Sequence, residues 1–336
     1  MLMAVESIPF GTTSSGQAVT AYKLQNRCGT HAVVLDYGAT LQSLVFDGIE
    51  LVHGYETVRG YEEGKAYFGA TIGRTCNRIA GAAFELNGSH YQLFPNDGRN
   101  QNHGGKIGFS HRMWQQVPTD SPGLLLRRIS PDGEEGYPGT VVATVQFLLN
   151  DENQLHIHYS ATTDRDTPLC MTNHSYFNLS KTDSALGHIL HCPAEFFVEN
   201  TAESIPTGYL ASVCNTPFDF RTPKSIGRDI DLPTEQLRQA SGYDHTLVAT
   251  KATLSSPDTG ITLHISTDLP GIHLYTANYT HEFGRKKYTP RSAVCLEPQL
   301  FADSIHHPAF PSAVLKAGKQ WHSETIYSFS RMESIL

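Results

Sequence analysis

The sequence predicts an all-β protein, a large antiparallel β-sandwich. Short segments rich in β-branched and aromatic residues recur along the 336 residues, as strands do and long helices do not. The 28 glycines and 18 prolines are dispersed along the chain, which supplies turns between many short elements. No strand–helix–strand alternation is visible, which disfavours a doubly wound parallel sheet.

In chain order, residues 31–36 (HAVVLD) are short, apolar and β-branched. In 82–93 (AAFELNGSHYQL), Asn87-Gly88 suits the two central positions of a type I′ turn. Leu86 should then face Ser89, Glu85 should face His90, and Phe84 should face Tyr91. Residues 141–149 form an apolar, β-branched run. Residues 154–160 alternate, with Leu155, Ile157 and Tyr159 on one face and His156 and His158 on the other. Residues 261–266, 272–279, 293–296 and 325–329 extend the series. The helix signal is 233–240 (PTEQLRQA), two turns with Pro233 at or near the first helical position. No linker or fixed-period repeat interrupts the pattern, so we expect one domain over 1–336. A sheet this extensive offers a concave face, a seat for a flat polar ligand.

Composition narrows the function. Hydrophobic residues at 39% and charged residues at 17% support a packed core rather than disorder. The net charge is −8, and the compact basic run is Lys286-Lys287 beside Arg285. Nucleic acid is therefore not an expected partner. No apolar run approaches the ~20 residues of a membrane helix. The N-terminal stretch lacks the basic and apolar regions of a signal peptide. The six cysteines, Cys28, Cys76, Cys170, Cys192, Cys214 and Cys295, form no C-x-x-C pair. They read as reduced thiols, and the expected location is cytoplasmic. No interface motif stands out, so a monomer is expected.

G-x-S-x-G, Walker and H-E-x-x-H motifs are absent. Histidine is abundant at 17 residues. Four polar segments hold candidates: 100–105 (NQNHGG), 171–178 (MTNHSYFN), 242–245 (GYDH) and His306-His307 after 296–299 (LEPQ). A fifth, 73–78 (GRTCNR), has two arginines and an asparagine. Asn, Gln, Asp, His, Arg and Tyr are the side chains that grip sugar hydroxyls. A histidine with a carboxylate is the minimum for general acid–base chemistry near neutral pH. A metal centre needs three or four converging ligands. His156 with His158, and His306 with His307, give only pairs, so no metal is expected, and without a G-x-G-x-x-G or Walker loop no organic cofactor is expected either. Read singly, Asp244 after Gly242 suits plain turn chemistry, and Glu297 in an apolar strand is either outward-facing or functional.

These segments, with others, resemble the aldose 1-epimerase (galactose mutarotase) family. The matching strings include 69–81 (GATIGRTCNRIAG), 102–105 (NHGG), 135–139 (EGYPG), 167–179 (TPLCMTNHSYFNL) and 218–221 (FDFR). They continue with 242–245 (GYDH), 270–279 (PGIHLYTANY), 295–299 (CLEPQ) and Asp303-Ser304 with His307-Pro308. The resemblance implies a galactose-mutarotase-type β-sandwich. It implies interconversion of the α and β anomers of free aldohexoses such as galactose and glucose, without a cofactor. Carried over by motif, His174 is the general acid and Glu297 the general base. Asn77, Arg78, His103, Tyr176 and Asp244 are sugar-binding positions.

Two positions depart from the family pattern. His273 stands where members usually have Gln, and Pro298 where most have Thr or Ser. Both bear on sugar preference, and His273 is kept with the substrate-binding residues. From its reference pKa of ~4.3, Glu297 should be ionised at pH 7, and His174 should be protonated in the productive state. A hexose 6-phosphate would need a further Arg/Lys cluster at the cleft. A non-catalytic sugar binder would lack the acid or the base.

Overall fold

The computed structural model describes residues 5–119 and 122–331. Strands account for 45% of it and helices for 6%, which fixes an all-β architecture. Three sheets carry the fold, of nine, six and five strands, with shorter two-stranded pieces between them. The ladders that build them are antiparallel.

Alternation decides which face each strand buries. In Val141–Leu149, every second residue is buried, and Gln154–Thr163 beside it does the same with Leu155, Ile157 and Tyr159. Those side chains join one large core with Leu274, Val294 and Leu296 of the six-stranded sheet and Leu24 and Val34 of the five-stranded sheet. Phe177 of the six-stranded sheet meets Tyr327 of the nine-stranded sheet edge to face at 5.2 Å. The sheets thus pack face to face as a sandwich.

The hairpin forms as its turn dictates. Leu86 pairs with Ser89, Glu85 with His90 and Phe84 with Tyr91, and Asn87 and Gly88 both take positive φ, 53° and 75°, as type I′ requires.

Several boundaries differ from the sequence expectation. The helix spans Glu235–Ala240, not 233–240. Thr234 is extended, with φ −80° and ψ 149°, so Pro233 lies outside the first turn. The strand expected over 272–279 is Gly271–Tyr275; it cannot continue through Ala277, whose φ is 52°. The strand expected over 293–296 is Val294–Gln299 and runs through Pro298. That proline lies beyond the short stretch, Val294 and Cys295, paired on the strand's second side. The 325–329 segment is the middle of a twelve-residue strand, Gln320–Arg331. It sits inside the nine-stranded sheet, between Gln154–Thr163 and Ile261–Thr267. No helix among the described residues is long and apolar enough to cross a membrane.

Candidate active site

The six-stranded sheet has one face in the core and the other under a cleft. Period-two geometry sorts the side chains. Ile272, Leu274, Val294 and Leu296 go to the core. His273, Tyr275 and Glu297 go to the cleft. Register then sets the neighbours. His273 lies directly across from Glu297 on one side and from Thr246 on the other. Asp244 lies across from Tyr275, and Tyr275 and Tyr176 both lie across from Cys295. Two rows of polar side chains are therefore laid down by strand pairing alone.

His174 enters just before Tyr176. Its backbone N–H donates to the Ala70 carbonyl at 2.9 Å, and its carbonyl accepts from Gly69 at 3.0 Å. The opposite wall comes from the short pairing of Arg78–Ile79 with Gln101–Asn102. Tyr67, Asn77 and His103 on that side all take left-handed backbone, φ 55°, 58° and 50°. Such strain concentrates where side chains must be aimed. The cleft encloses about 160 Å³.

All eight residues expected at the site line this one cleft: Asn77, Arg78, His103, His174, Tyr176, Asp244, His273 and Glu297. Lys65, Tyr67, Asn102, Tyr275 and Tyr279 line it too and were not singled out. Asn102, Tyr275 and Tyr279 fall within the recognised strings, but Tyr67 carried no signal beyond an aromatic ahead of Phe68-Gly69.

His174 Nε2 stands 3.5 Å from Glu297 Oε1. Both side chains are almost fully buried, at 5% and 2% exposure. His174 Nδ1 and Glu297 Oε2 have no protein partner among the described residues. Asp244 accepts from His273 Nε2 at 2.8 Å, and His273 Nδ1 is 3.0 Å from the Thr246 hydroxyl. Arg78 donates to Asp97 at 2.7 Å and has Asp244 at 4.0 Å.

Burial and charge set the proton positions. Burial lowers the His174 pKa to about 3, helped by the nearby His273. Burial, with the Asp244 charge, pushes Glu297 well above the usual carboxylate range. These directions favour a neutral imidazole and a protonated carboxyl, whereas the reference pKa of Glu297 taken alone gives a carboxylate. Burial would raise Asp244 as well, but the hydrogen bond and charge of His273, together with Arg78, hold it below the carboxylate range. Burial lowers His103 too, beside His174 and Arg78. The cleft therefore sets the Asp244 carboxylate and the Arg78 guanidinium beside the His174–Glu297 pair.

Residues 20–328 match the family model described as aldose 1-epimerase. The chain is 34% identical to the aldose 1-epimerase of Escherichia coli K12 over 333 residues, covering 94% of this chain and 96% of that one. It is 33% identical to the galactose mutarotase of Homo sapiens, with 94% and 96% covered. Among solved structures, a GalM/aldose epimerase homologue from C. elegans superposes with a TM-score of 0.86 at 31% identity, covering 98% of this chain and 100% of that one. A galactose 1-epimerase from Lactobacillus acidophilus NCFM gives 0.90 at 25% identity, with 98% and 100% covered. The sandwich, the cleft and these relatives agree, and the chain belongs to the aldose 1-epimerase family of isomerases, which interconvert the anomers of aldoses.

Proposed function

We propose that the substrate is a free aldohexose, galactose or glucose, and that Glu297 and His174 open and reclose its ring. The observation that carries this reading is the pair itself. A carboxyl and an imidazole converge at 3.5 Å in a cleft otherwise lined by sugar-gripping groups. Glu297 takes the proton from the O1 hydroxyl while His174 delivers one to the ring oxygen. The C1–O5 bond breaks, the aldehyde turns about C1–C2, and the reverse transfers close the ring on its other face.

The proton count closes. Ring opening starts from a carboxylate and an imidazolium and leaves a carboxylic acid and a neutral imidazole. That second pair is the form burial favours. The two forms differ by one proton moved between the partners, so net charge is constant through the cycle. Each partner serves as acid in one direction and base in the other.

Arg78, Asp244 and His273 form the polar frame for the hydroxyls, with Asn77, His103 and Tyr176 beside them. Asn77 Nδ2 lies 3.4 Å from His273 Nε2, which links the two walls. A phosphorylated hexose is less well served. Arg78 is committed to Asp97 and Asp244, and Arg285 and Lys286 line a separate cavity with Glu50 and His53, which leaves Lys65 as a single further cation on the cleft lining rather than a cluster. The same reading has the chain acting as one domain, monomeric and cytoplasmic, with no metal or organic cofactor in the reaction.

Polarimetry of freshly dissolved α-D-galactose tests it. The protein should speed relaxation to an unchanged equilibrium rotation. Glu297→Gln should lower kcat by at least about 10² while galactose still binds. Undiminished exchange in that variant would remove Glu297 from the chemistry. A clear preference for glucose 6-phosphate would replace the substrate.

A further inference from the structure

The outward face of the nine-stranded sheet carries a cluster that neither the core nor the cleft uses. His156 and His158 share that face of Gln154–Thr163, because residues two apart point the same way. The neighbouring strand Gln320–Arg331 places Glu324 directly across from His158. Glu324 Oε1 is 2.8 Å from His156 Nδ1 and 3.5 Å from His158 Nε2. The two rings are nearly parallel, 5.8 Å between centroids and 21° between planes. His322 is exposed and pairs across from Ser160. That puts it on the same face, diagonal to His158, at a spacing of roughly 7–8 Å that long side chains bridge.

We propose that this cluster binds a borderline divalent transition ion, Zn²⁺ being the fitting probe. His156, His158 and Glu324 are the ligands, and His322 or water takes the fourth position. Two imidazoles and a carboxylate suit zinc, copper or nickel, whereas Mg²⁺ and Ca²⁺ require oxygen. Ligand bonds of about 2.0–2.2 Å in a tetrahedron put ligand atoms about 3.3 Å apart. The two contacts to Glu324 Oε1 lie on either side of that spacing, and ligand atoms of all three residues lie within 4.8 Å of one another. The ion would take the place of the hydrogen bond between His156 Nδ1 and Glu324 Oε1. The 3.5 Å contact from Asn150 Nδ2 to His156 Nε2 would be given up when the proton moves to that nitrogen. Asp268, which accepts from the Glu324 N–H at 3.0 Å, adds a second negative charge beside the cluster. Both strands are paired on both sides, so the ligands start from a rigid frame. Sequence reading saw only the two histidines, because strand pairing alone brings residue 324 beside residue 158.

Calorimetric titration of the metal-stripped full chain with Zn²⁺ near neutral pH is the test. One equivalent should bind, and Mg²⁺ should give no comparable heat. Loss of an outer-shell partner already costs roughly 10–100-fold in metal affinity, so Glu324→Gln and His158→Ala should each weaken Zn²⁺ at least about tenfold. Glu324→Gln should keep wild-type mutarotation, which certifies its fold. His174, Cys295 and Glu297 in the cleft also bring ligand atoms together, so His174→Ala serves as the control and should leave Zn²⁺ affinity unchanged. No Zn²⁺ binding by the wild type, equal binding by Glu324→Gln and His158→Ala, or loss of binding in His174→Ala would each overturn the proposal.

Discussion

Arg74 and Arg78 are four positions apart, and sequence reading placed both in one polar segment. Arg78 lines the cleft. Arg74 is 2% exposed and turned away from it, with its guanidinium on the carbonyls of Ser130, Pro131 and Pro138 and the hydroxyls of Ser130 and Thr167. Burial lowers its pKa to about 10, against the opposing charge of Glu134, so it stays charged. Arg74→Met would strand two buried carbonyls, those of Ser130 and Pro138. At about 1–3 kcal/mol each, the loss should exceed about 2 kcal/mol, read from urea unfolding. The recognised motif marked Arg78 as the site residue, but side-chain direction at Arg74 is set by loops more than fifty residues away and is invisible locally. Glu297 shows the same limit. Its position in a strand was legible, but its protonation depends on burial that three other strands create.

Among the elements, local chemistry was legible where it decides the outcome. The Asn87-Gly88 turn fixes its own register, and the 141–149 and 154–160 runs announce their buried faces. Thr40–Phe46 was missed because nearly every residue is buried, which erases alternation. Leu124–Ser130 was missed because three leucines in a row hide its period. Helix Val58–Glu63 is six residues long, too short to show one. Two glycines separate turn chemistry from site construction. Gly88 has φ +75° and open space around a Cβ, so Gly88→Ala should cost about 1 kcal/mol and leave galactose turnover unchanged. Gly104 has φ +84°, and a Cβ there would sit 1.9 Å from the Gly73 carbonyl oxygen. Gly104→Ala must displace the loop that carries His103, so it should cost more than Gly88→Ala in a thermal melt and also raise KM for galactose.

For the whole molecule, buried histidines govern the response to acid. Burial lowers the pKa of His53, His174 and His245 to about 3 and that of His188 to about 4. Their unfolded value is ~6.5, so between about 6.5 and 4 the unfolded chain binds more protons than the folded one. Stability therefore falls as pH falls, by up to about 1.4 kcal/mol per pH unit for each group. Asp244, held low, loses its contribution in the same direction below ~3.9. Glu297 runs the other way, since a raised carboxyl pKa favours the folded state at low pH, and so does His306, raised by its hydrogen bond to Asp303. Burial lowers His103 and His111 as well, so the lowered histidines outweigh the raised groups and the urea midpoint should drop from pH 7 to pH 5, with the steepest change below about 6. Fold class was legible at this scale, but the order of strands was not, because hydrophobic pattern does not name a strand's partners. That order has a consequence for biosynthesis. Gln320–Arg331 lies between two strands made long before it, Gln154–Thr163 and Ile261–Thr267. On a ribosome, the two parts of the largest sheet emerge with a gap between them and a row of unpaired amides on each rim. Neither part can close until the intervening strand is translated, so the nascent chain needs shielding from the time Thr163 emerges until Gln320 follows it.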